Sequence, residues 1–172
     1  MAEERSEENM AKPAMLKLKS SDEVEFTVEA AALMQSQMLR NMIEEGCVDS
    51  GVAIPIPKVS ASVLTNVLSY CTNHANPPRP LPSTSKSPDD LLKELDRDLV
   101  NSINTDITAM LELVLAANYL DIKGLMDLSC QAVADAIQDM SPEEVREIFN
   151  IENDFTPEEE RQVRRDNAWA FK

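Results

Sequence analysis

The chain has 172 residues, 43% of them apolar, which is enough for one domain, or for one domain with an appendage, around a real core. Its 31 Asp and Glu residues outnumber the 16 Lys and Arg residues, so the formal net charge is −15. A field of this sign repels nucleic acid and anionic membrane surfaces, and we exclude both as partners.

The cysteines predict a reducing compartment, and the first residues are untypical of a secretory signal. Residues 1–13 are acidic and polar, which is untypical of a secretory signal, and we expect them to form a disordered tail. The three cysteines are odd in number and lie in or beside apolar stretches, as reduced thiols do. No stretch approaches the roughly 20 apolar residues of a membrane span. We expect a soluble protein of the nucleus and cytoplasm.

The first third of the chain predicts a small sheet followed by helices. Residues 15–29 alternate between apolar and polar, which indicates a β-hairpin with one buried face. Residues 30–45 have the composition and spacing of one helix, which Gly46 would end. Residues 53–57 carry two prolines, so they can form only a short edge strand beside the hairpin.

The middle of the chain predicts two helices separated by a loop. A core helix runs from Ser60 or Ser62 to about Asn73, with apolar residues at helical spacing. Residues 76–88 are rich in Pro and Ser and predict a flexible surface loop. A weaker helical pattern follows over residues 89–100.

Two apolar helices come next. Residues 108–120 carry one charge, and their main apolar stripe is joined by further apolar residues on other faces, so this helix must be covered on several sides. The stripe consists of Ile107, Met110, Leu111, Val114 and Leu115. Asp121 is predicted to cap the following helix, which carries apolar residues on two sides as far as Ile137.

Two helix starts with the same chemistry complete the chain. Ser141 and Thr156 are each followed by Pro and, three residues on, by Glu, which predicts a capping box at both places. The last helix, from Pro157 to about Trp169, has Val163 as its only large apolar residue between Phe155 and Trp169. Such a helix has little reason to fold alone. We infer that it docks on a surface that a partner supplies.

Residues with catalytic or metal-binding potential are few. His74 is the only histidine, and Cys71 is the only cysteine near it, whereas a zinc site needs four ligands. A cysteine or serine nucleophile would have to use the same histidine as its base. The three glycines do not have the spacing of a phosphate-binding loop. We predict a protein without catalytic residues, metal or cofactor.

Several segments together resemble the Skp family, the adaptor subunits of SCF (Skp, cullin, F-box) ubiquitin ligases. They are LKLKSSD at 16–22, CTNH at 71–74, LAANYLDIKGL at 115–125, Cys130, PEEVR at 142–146, FNIENDFT at 149–156 and VRRDNAW at 163–169. The likeness spans nearly the whole chain, and the ending AWAF at 168–171 is similar to plant members of the family.

The resemblance implies an α/β fold, with a BTB/POZ-like domain at residues 14–138 and C-terminal F-box-binding helices at residues 139–172. The BTB/POZ-like domain would hold a small three-stranded sheet with helices and would dock on a cullin. By the family pattern, Asn118 and Tyr119 are implied as cullin contacts. The implied F-box surface consists of Leu120, Leu125, Leu128, Ile137, Ile148, Phe149, Ile151, Phe155, Val163 and Trp169.

The function that this resemblance implies is that of a non-catalytic adaptor. It would bridge a cullin scaffold to F-box substrate receptors for ubiquitin-dependent degradation, with a RING subunit and a ubiquitin-conjugating enzyme as indirect partners. The alternative is another BTB-type interaction protein, such as an elongin-C-like adaptor or a self-associating transcription regulator. The two capped helices after Ser141 disfavour that alternative.

Overall fold

A computed structural model describes residues 15–46, 51–78, 87–103 and 106–169. Contacts divide the chain into two compact units, Met1–Ala136 and Ile137–Lys172, which we call the large and the small unit. The predicted tail at residues 1–13 lies outside the described residues, as do residues 79–86 of the predicted loop. In the part of the chain that is described, no helix is long and apolar enough to cross a membrane.

A three-stranded sheet opens the large unit. Strands β1 (Met15–Lys19) and β2 (Glu25–Glu29) pair antiparallel, with Leu18 opposite Phe26. Strand β3 (Ile54–Pro55) pairs parallel with β1, so the strand order is β2-β1-β3. The predicted hairpin and the predicted short edge strand are therefore confirmed.

The single helix predicted after the hairpin is wrong, because the chain forms two short helices there. They are α1 (Ala30–Leu33) and α2 (Gln37–Glu44). The break falls at Ser36, whose fully buried hydroxyl accepts the amide proton of Leu39 and donates to the carbonyl of Leu120. A serine that caps a helix cannot also continue the preceding one. The bond to Leu120 fixes this break to a distant part of the chain.

Helix α3 (Ala61–Ala75) is the central core helix, as predicted, but its start is capped from elsewhere. Ser60 occupies the N-cap position, yet its side chain makes no capping hydrogen bond. Instead the amide of Ala61 donates to Asp22 Oδ1 at 2.8 Å, from the turn of the hairpin. The same contact therefore satisfies an unpaired helix amide and ties the hairpin to α3. Its buried residues are Val63, Leu64, Val67, Leu68, Tyr70 and Cys71.

Helices α4 (Pro88–Ile103), α5 (Ile107–Tyr119) and α6 (Lys123–Ile137) follow. The stripe predicted for α5 is wrong in part, since Leu115 is 67% exposed. The side chains that α5 buries are instead Met110, Leu113, Ala116 and Ala117. Leu113 and Ala117, which the periodicity places off the main stripe, therefore face the core.

Asp121 ends α5 rather than capping α6. Its φ of +51° is left-handed, its amide donates to Asn118, and the amide of Ile122 donates to Ala117. This pair of bonds is a Schellman motif, which satisfies the last carbonyls of a helix. The predicted capping role of Asp121 is therefore wrong, and α6 begins two residues later.

The small unit contains α7 (Pro142–Phe149) and α8 (Pro157–Asp166). Both predicted capping boxes are confirmed, with Ser141 and Thr156 as the N-cap residues. Helix α8 ends at Asp166, slightly before the predicted end.

Candidate functional site

The residues implied as cullin contacts lie at the C-terminal end of α5. Asn118 is exposed and Tyr119 is half-buried. The exposed Leu115 lies one turn earlier on the same helix face, and Lys58 Nζ lies 5.3 Å from the centroid of the Tyr119 ring. A cation at this distance is attracted to the negative face of the ring. We call Lys58, Leu115, Asn118 and Tyr119 the α5 patch.

The α5 patch borders a cavity of about 190 Å³. Lys58 and Leu115 line it together with Ser21, Ser60 and Glu112. An isolated Leu with this exposure needs no explanation, but here it is combined with an aromatic ring and an amide. The combination suits a protein partner that contributes both apolar and hydrogen-bonding side chains. The sequence reasoning missed Leu115 and Lys58, although the spacing of Leu115 to Asn118 and Tyr119 on one helix could have revealed Leu115.

Two of the residues implied for the F-box surface belong instead to the core of the large unit. Leu120 is 1% exposed and Leu125 is 0% exposed. Side chains enclosed in this way stabilise their own unit and offer a partner no surface. We therefore exclude both from the candidate surface. Leu128 is half-buried and lines a cavity between α4 and α6 with Val100 and Ala132.

The other seven implied residues lie in the small unit, and four of them are exposed. Ile137, Ile148 and Phe149 are half-buried. The exposed fractions are 55% for Ile151, 46% for Phe155, 40% for Val163 and 74% for Trp169. Within helices α7 and α8, both described in full, no residue is buried. The small unit therefore presents large apolar side chains without enclosing a core. We call these seven residues the small-unit surface.

Ion pairs connect α7 and α8 within the small unit. Arg164 pairs with Glu143 and, at 3.4 Å, with Glu160, while Arg146 lies 3.8 Å from Glu160. Exposed ion pairs of this kind contribute about 0–1 kcal/mol each. Full burial of a single large apolar side chain contributes about 1.5–3 kcal/mol. Covering one of these large apolar side chains would therefore stabilise the unit more than any one of these ion pairs does.

Cys71 and His74 have structural roles. Cys71 is buried, and burial raises the pKa of its thiol to about 12, so it is not a thiolate near neutral pH. His74 Nε2 lies 2.9 Å from Asp96 Oδ1, and its ring stacks on Tyr70 at 3.9 Å between centroids. Among the residues described, no three His, Cys, Asp or Glu side chains are grouped so that they could hold a metal ion.

Two family models match the chain. The Skp1 family tetramerisation domain matches residues 14–76, and the Skp1 family dimerisation domain matches residues 123–170. The first match covers the sheet and α3, and the second runs from the start of α6 to beyond α8. The fold class implied by the resemblance, a BTB/POZ-like domain followed by helices, is confirmed by these matches.

Several known proteins are similar to the chain over most of its length. SKP1-like protein 20 of Oryza sativa is 46% identical over 171 residues, covering 92% of this chain and 95% of the relative. SKP1-like protein 1A of Arabidopsis thaliana is 48% identical over 158 residues, covering 90% and 95%. The E3 ubiquitin ligase complex SCF subunit sconC of Talaromyces marneffei is 45% identical over 155 residues, covering 89% and 94%. With identity of this extent across both units, the chain belongs to the Skp1 family.

Proposed function

We propose that the chain is a non-catalytic adaptor of an SCF-type ubiquitin ligase, which bridges a cullin scaffold and an F-box substrate receptor. Relatives that are named as subunits of SCF ubiquitin ligase complexes support this role. The adaptor would hold a receptor-bound substrate near the ubiquitin-conjugating enzyme that a RING subunit brings to the cullin. Its contribution to the reaction is therefore proximity, and ubiquitin chemistry belongs to the other subunits.

The observation that carries this proposal is the small-unit surface. Ile151, Phe155, Val163 and Trp169 are between 40% and 74% exposed, in a unit whose two helices bury none of their residues. Apolar groups gathered in this way are typical of a surface that another polypeptide covers. Trp169 is the most exposed of the four, and tryptophan is among the residues that most often dominate interface energies.

We assign the F-box to the small-unit surface and the cullin to the α5 patch. We expect a helix of the F-box protein to bind the small-unit surface. Helices α7 and α8 present apolar side chains flanked by polar ones, as grooves that bind a partner helix do. The α5 patch lies on a helix that the large unit holds rigidly by its buried face, which suits a permanent scaffold contact. Lys58 is the one charged residue of this patch, whereas the chain as a whole has a formal net charge of −15.

We further propose that the adaptor acts in the nucleus and the cytoplasm. Cys71 is a buried free thiol and Cys130 is an exposed one. Free thiols of this kind persist where the compartment is reducing.

Capture experiments with the full chain test the assignment of the two surfaces. The chain would be co-expressed with a cullin N-terminal domain and, separately, with an F-box protein. The variants are Trp169→Ala, Val163→Ala and the double variant Asn118→Ala with Tyr119→Ala. Val24→Ala is a matched control, because Val24 is 43% exposed and Val163 is 40% exposed.

We expect opposite losses from the two sets of variants. Trp169→Ala should weaken F-box binding about thirtyfold, the effect of losing a hot-spot side chain worth about 2 kcal/mol. Val163→Ala should weaken it about fivefold through the loss of about 1 kcal/mol of apolar burial. Both should leave cullin binding unchanged, and Val24→Ala should alter neither. The double variant should lose the cullin and keep the F-box protein. Equal loss of both partners in any variant that is still folded would contradict the assignment.

A further inference from the structure

The outer edge of β2 is open, and nearby hydrogen bonds show which backbone groups it turns outward. The strand order β2-β1-β3 leaves β2 at the edge of the sheet among the described residues. The amide of Ser20 donates to the carbonyl of Val24 at 3.0 Å, so Ser20 faces the β2 side. The carbonyl of Lys19 accepts the amide of Ile56 at 2.7 Å, so Lys19 faces the β3 side.

This alternation assigns the rest of the ladder. Hydrogen-bonded and non-hydrogen-bonded pairs follow each other along antiparallel strands, so Leu18 and Phe26 form a hydrogen-bonded pair. Thr27 therefore turns its N–H and C=O away from β1, as do Glu25 and Glu29. Within the described part of the chain, no group bonds the N–H or C=O of Thr27. A strand edge with free backbone groups is a template for another strand.

A groove of about 510 Å³ lies between this edge and α3, and we call it the β2 groove. Phe26 and Val28 line it from the strand, and Leu68 lines it from the helix. Val28 and Leu68 are each 9% exposed and Phe26 is half-buried, so the groove reaches the margin of the core. A strand added to β2 would place its side chains opposite Phe26 and Val28 on the same face of the sheet. Apolar side chains at those two positions would extend the core contacts.

The carboxylates of β2 favour a basic partner. Glu25 and Glu29 lie on the face of the sheet opposite to that of Phe26. The carboxylate of Glu25 lies 3.6 Å from Lys17 Nζ, across the ladder. Glu29 forms no ion pair with the described residues, and its carboxylate accepts the side-chain amide of Asn76 at 3.3 Å. A Lys or Arg side chain opposite Glu29 would supply the counter-charge, as Lys17 does for Glu25.

These charges disfavour two other occupants of the edge. In a second copy paired antiparallel about Thr27, Glu25 of each copy would lie opposite Glu29 of the other, and like charges directly opposite are destabilising. Residues 1–14 of the chain carry four Glu against two basic residues, and they lack apolar residues that alternate between basic ones. The edge therefore suits a segment of a different protein.

We propose that β2 and α3 bind an extended segment of another protein, which adds to β2 as an antiparallel strand with the pattern basic, apolar, polar, apolar, basic. Its first basic side chain would lie opposite Glu29 and its last opposite Glu25. Its two apolar side chains would lie opposite Val28 and Phe26 and fill the β2 groove beside Leu68. Ladder hydrogen bonds give affinity in this kind of recognition, and contacts with alternate side chains give specificity.

The proposal does not depend on the adaptor function. No residue of the α5 patch or of the small-unit surface lines the β2 groove.

Titration of the isotope-labelled full chain with the acetylated and amidated peptide GKVTVKG tests this site. We expect saturable amide chemical shift changes in residues 25–29 and at Leu68, and none in the α5 patch. Hydrogen exchange of the Thr27 amide should slow in the complex, because that amide gains an acceptor. The absence of saturable changes in β2, or unchanged exchange at Thr27, would overturn the proposal.

Two matched pairs of peptides separate the backbone from the side chains. N-methylation of the central Thr removes the N–H that faces β2 and should weaken binding about tenfold or more, whereas N-methylation of the first Val, whose N–H faces away, should have little effect. The peptide GKTVTKG, which turns its apolar side chain to the other face, should bind about tenfold more weakly than GKVTVKG. Equal binding of the two methylated peptides, or of GKTVTKG and GKVTVKG, would contradict the proposed register.

A charge exchange connects the peptide to Glu29. Glu29→Lys should weaken the binding of GKVTVKG about fivefold, and the peptide GEVTVKG should restore it in that variant. Glu152→Lys makes the same change in charge at an exposed position of the small unit and should have no effect. Equal affinity of GKVTVKG for the wild type and for Glu29→Lys would overturn the proposed pairing.

Discussion

At the scale of single residues, Ser36 links two parts of the large unit. Its hydroxyl caps α2 and also donates to the carbonyl of Leu120, at the end of α5. Ser36→Ala removes the cap and leaves that buried carbonyl without its donor. We expect a loss of about 2–4 kcal/mol in the free energy of unfolding, measured by urea denaturation.

Ser69 provides the control for this substitution. It is an exposed serine on α3, so Ser69→Ala should change the free energy of unfolding by at most about 0.5 kcal/mol. A Ser36→Ala variant as stable as Ser69→Ala would show that the hydroxyl of Ser36 is not a structural link.

The capping glutamates of the small unit predict a response to acid. The carboxylate of Glu144 accepts the amide proton of Ser141 at 2.7 Å, and that of Glu159 accepts the amide proton of Thr156 at 2.9 Å. These backbone bonds, with smaller contributions from the two hydroxyls, lower the pKa of both glutamates. A lowered pKa means that the caps stabilise the unit above the unfolded value of about 4.3 and are lost as the pH falls through the folded value.

The amide proton shifts of Ser141 and Thr156 report this loss directly. Both should stay constant from neutral pH down past the usual Glu range and should move only at lower pH. Glu144→Gln should abolish the movement at Ser141 and preserve it at Thr156. Movement that begins well above the usual Glu range, or that persists at Ser141 in the variant, would contradict these bonds.

At the scale of secondary structure, the sequence predicted those boundaries that depend on neighbours in the chain. The two capping boxes were predictable because Ser141 and Thr156 each bond a glutamate three residues away. The break before α2 was not, because Ser36 is held by Leu120, which is 84 residues distant in sequence. Asp121 was assigned to the wrong helix because its type suits an N-cap, whereas its left-handed backbone ends α5.

Which side of α5 is buried could also not be predicted from the sequence alone. A helix that is apolar nearly all round has no periodicity strong enough to choose one face. Leu115 fits the apolar stripe as well as Met110 does, yet Met110 is fully buried and Leu115 is exposed. Packing against α3 and α4, a tertiary effect, decides which side faces the core.

The attachment of α8 to α7 should depend on salt. It relies on the contacts of Arg164 with Glu143 and of Arg146 with Glu160, which lie at or near the surface and are open to screening. Raising the salt concentration from about 0.05 M to 1 M should therefore increase amide hydrogen exchange in α8 severalfold. Helix α3, which is held by its apolar core, provides the internal control. Exchange in α8 that does not respond to salt would show that apolar contacts hold it instead.

At the scale of the whole molecule, the two units differ in what stabilises them. The large unit encloses a core that includes fully buried residues such as Leu64, Met110 and Leu125. The small unit has well-formed helix ends but no buried residue in α7 or α8, although both helices are described in full. The sequence predicted that the last helix needs a partner surface, because it lacks an apolar stripe, and Val163 and Trp169 are exposed. It did not separate Leu120 and Leu125 from that surface, since the family pattern does not report burial.

Amide hydrogen exchange of the full chain, alone and saturated with an F-box protein, tests the central claim that another polypeptide completes the small unit. Alone, residues 142–169 should exchange rapidly while α3 remains protected. In the complex, protection in residues 142–169 should rise about a hundredfold or more, and α3 should change little. Protection of the small unit equal to that of α3 in the free chain, or no gain on binding, would contradict the claim.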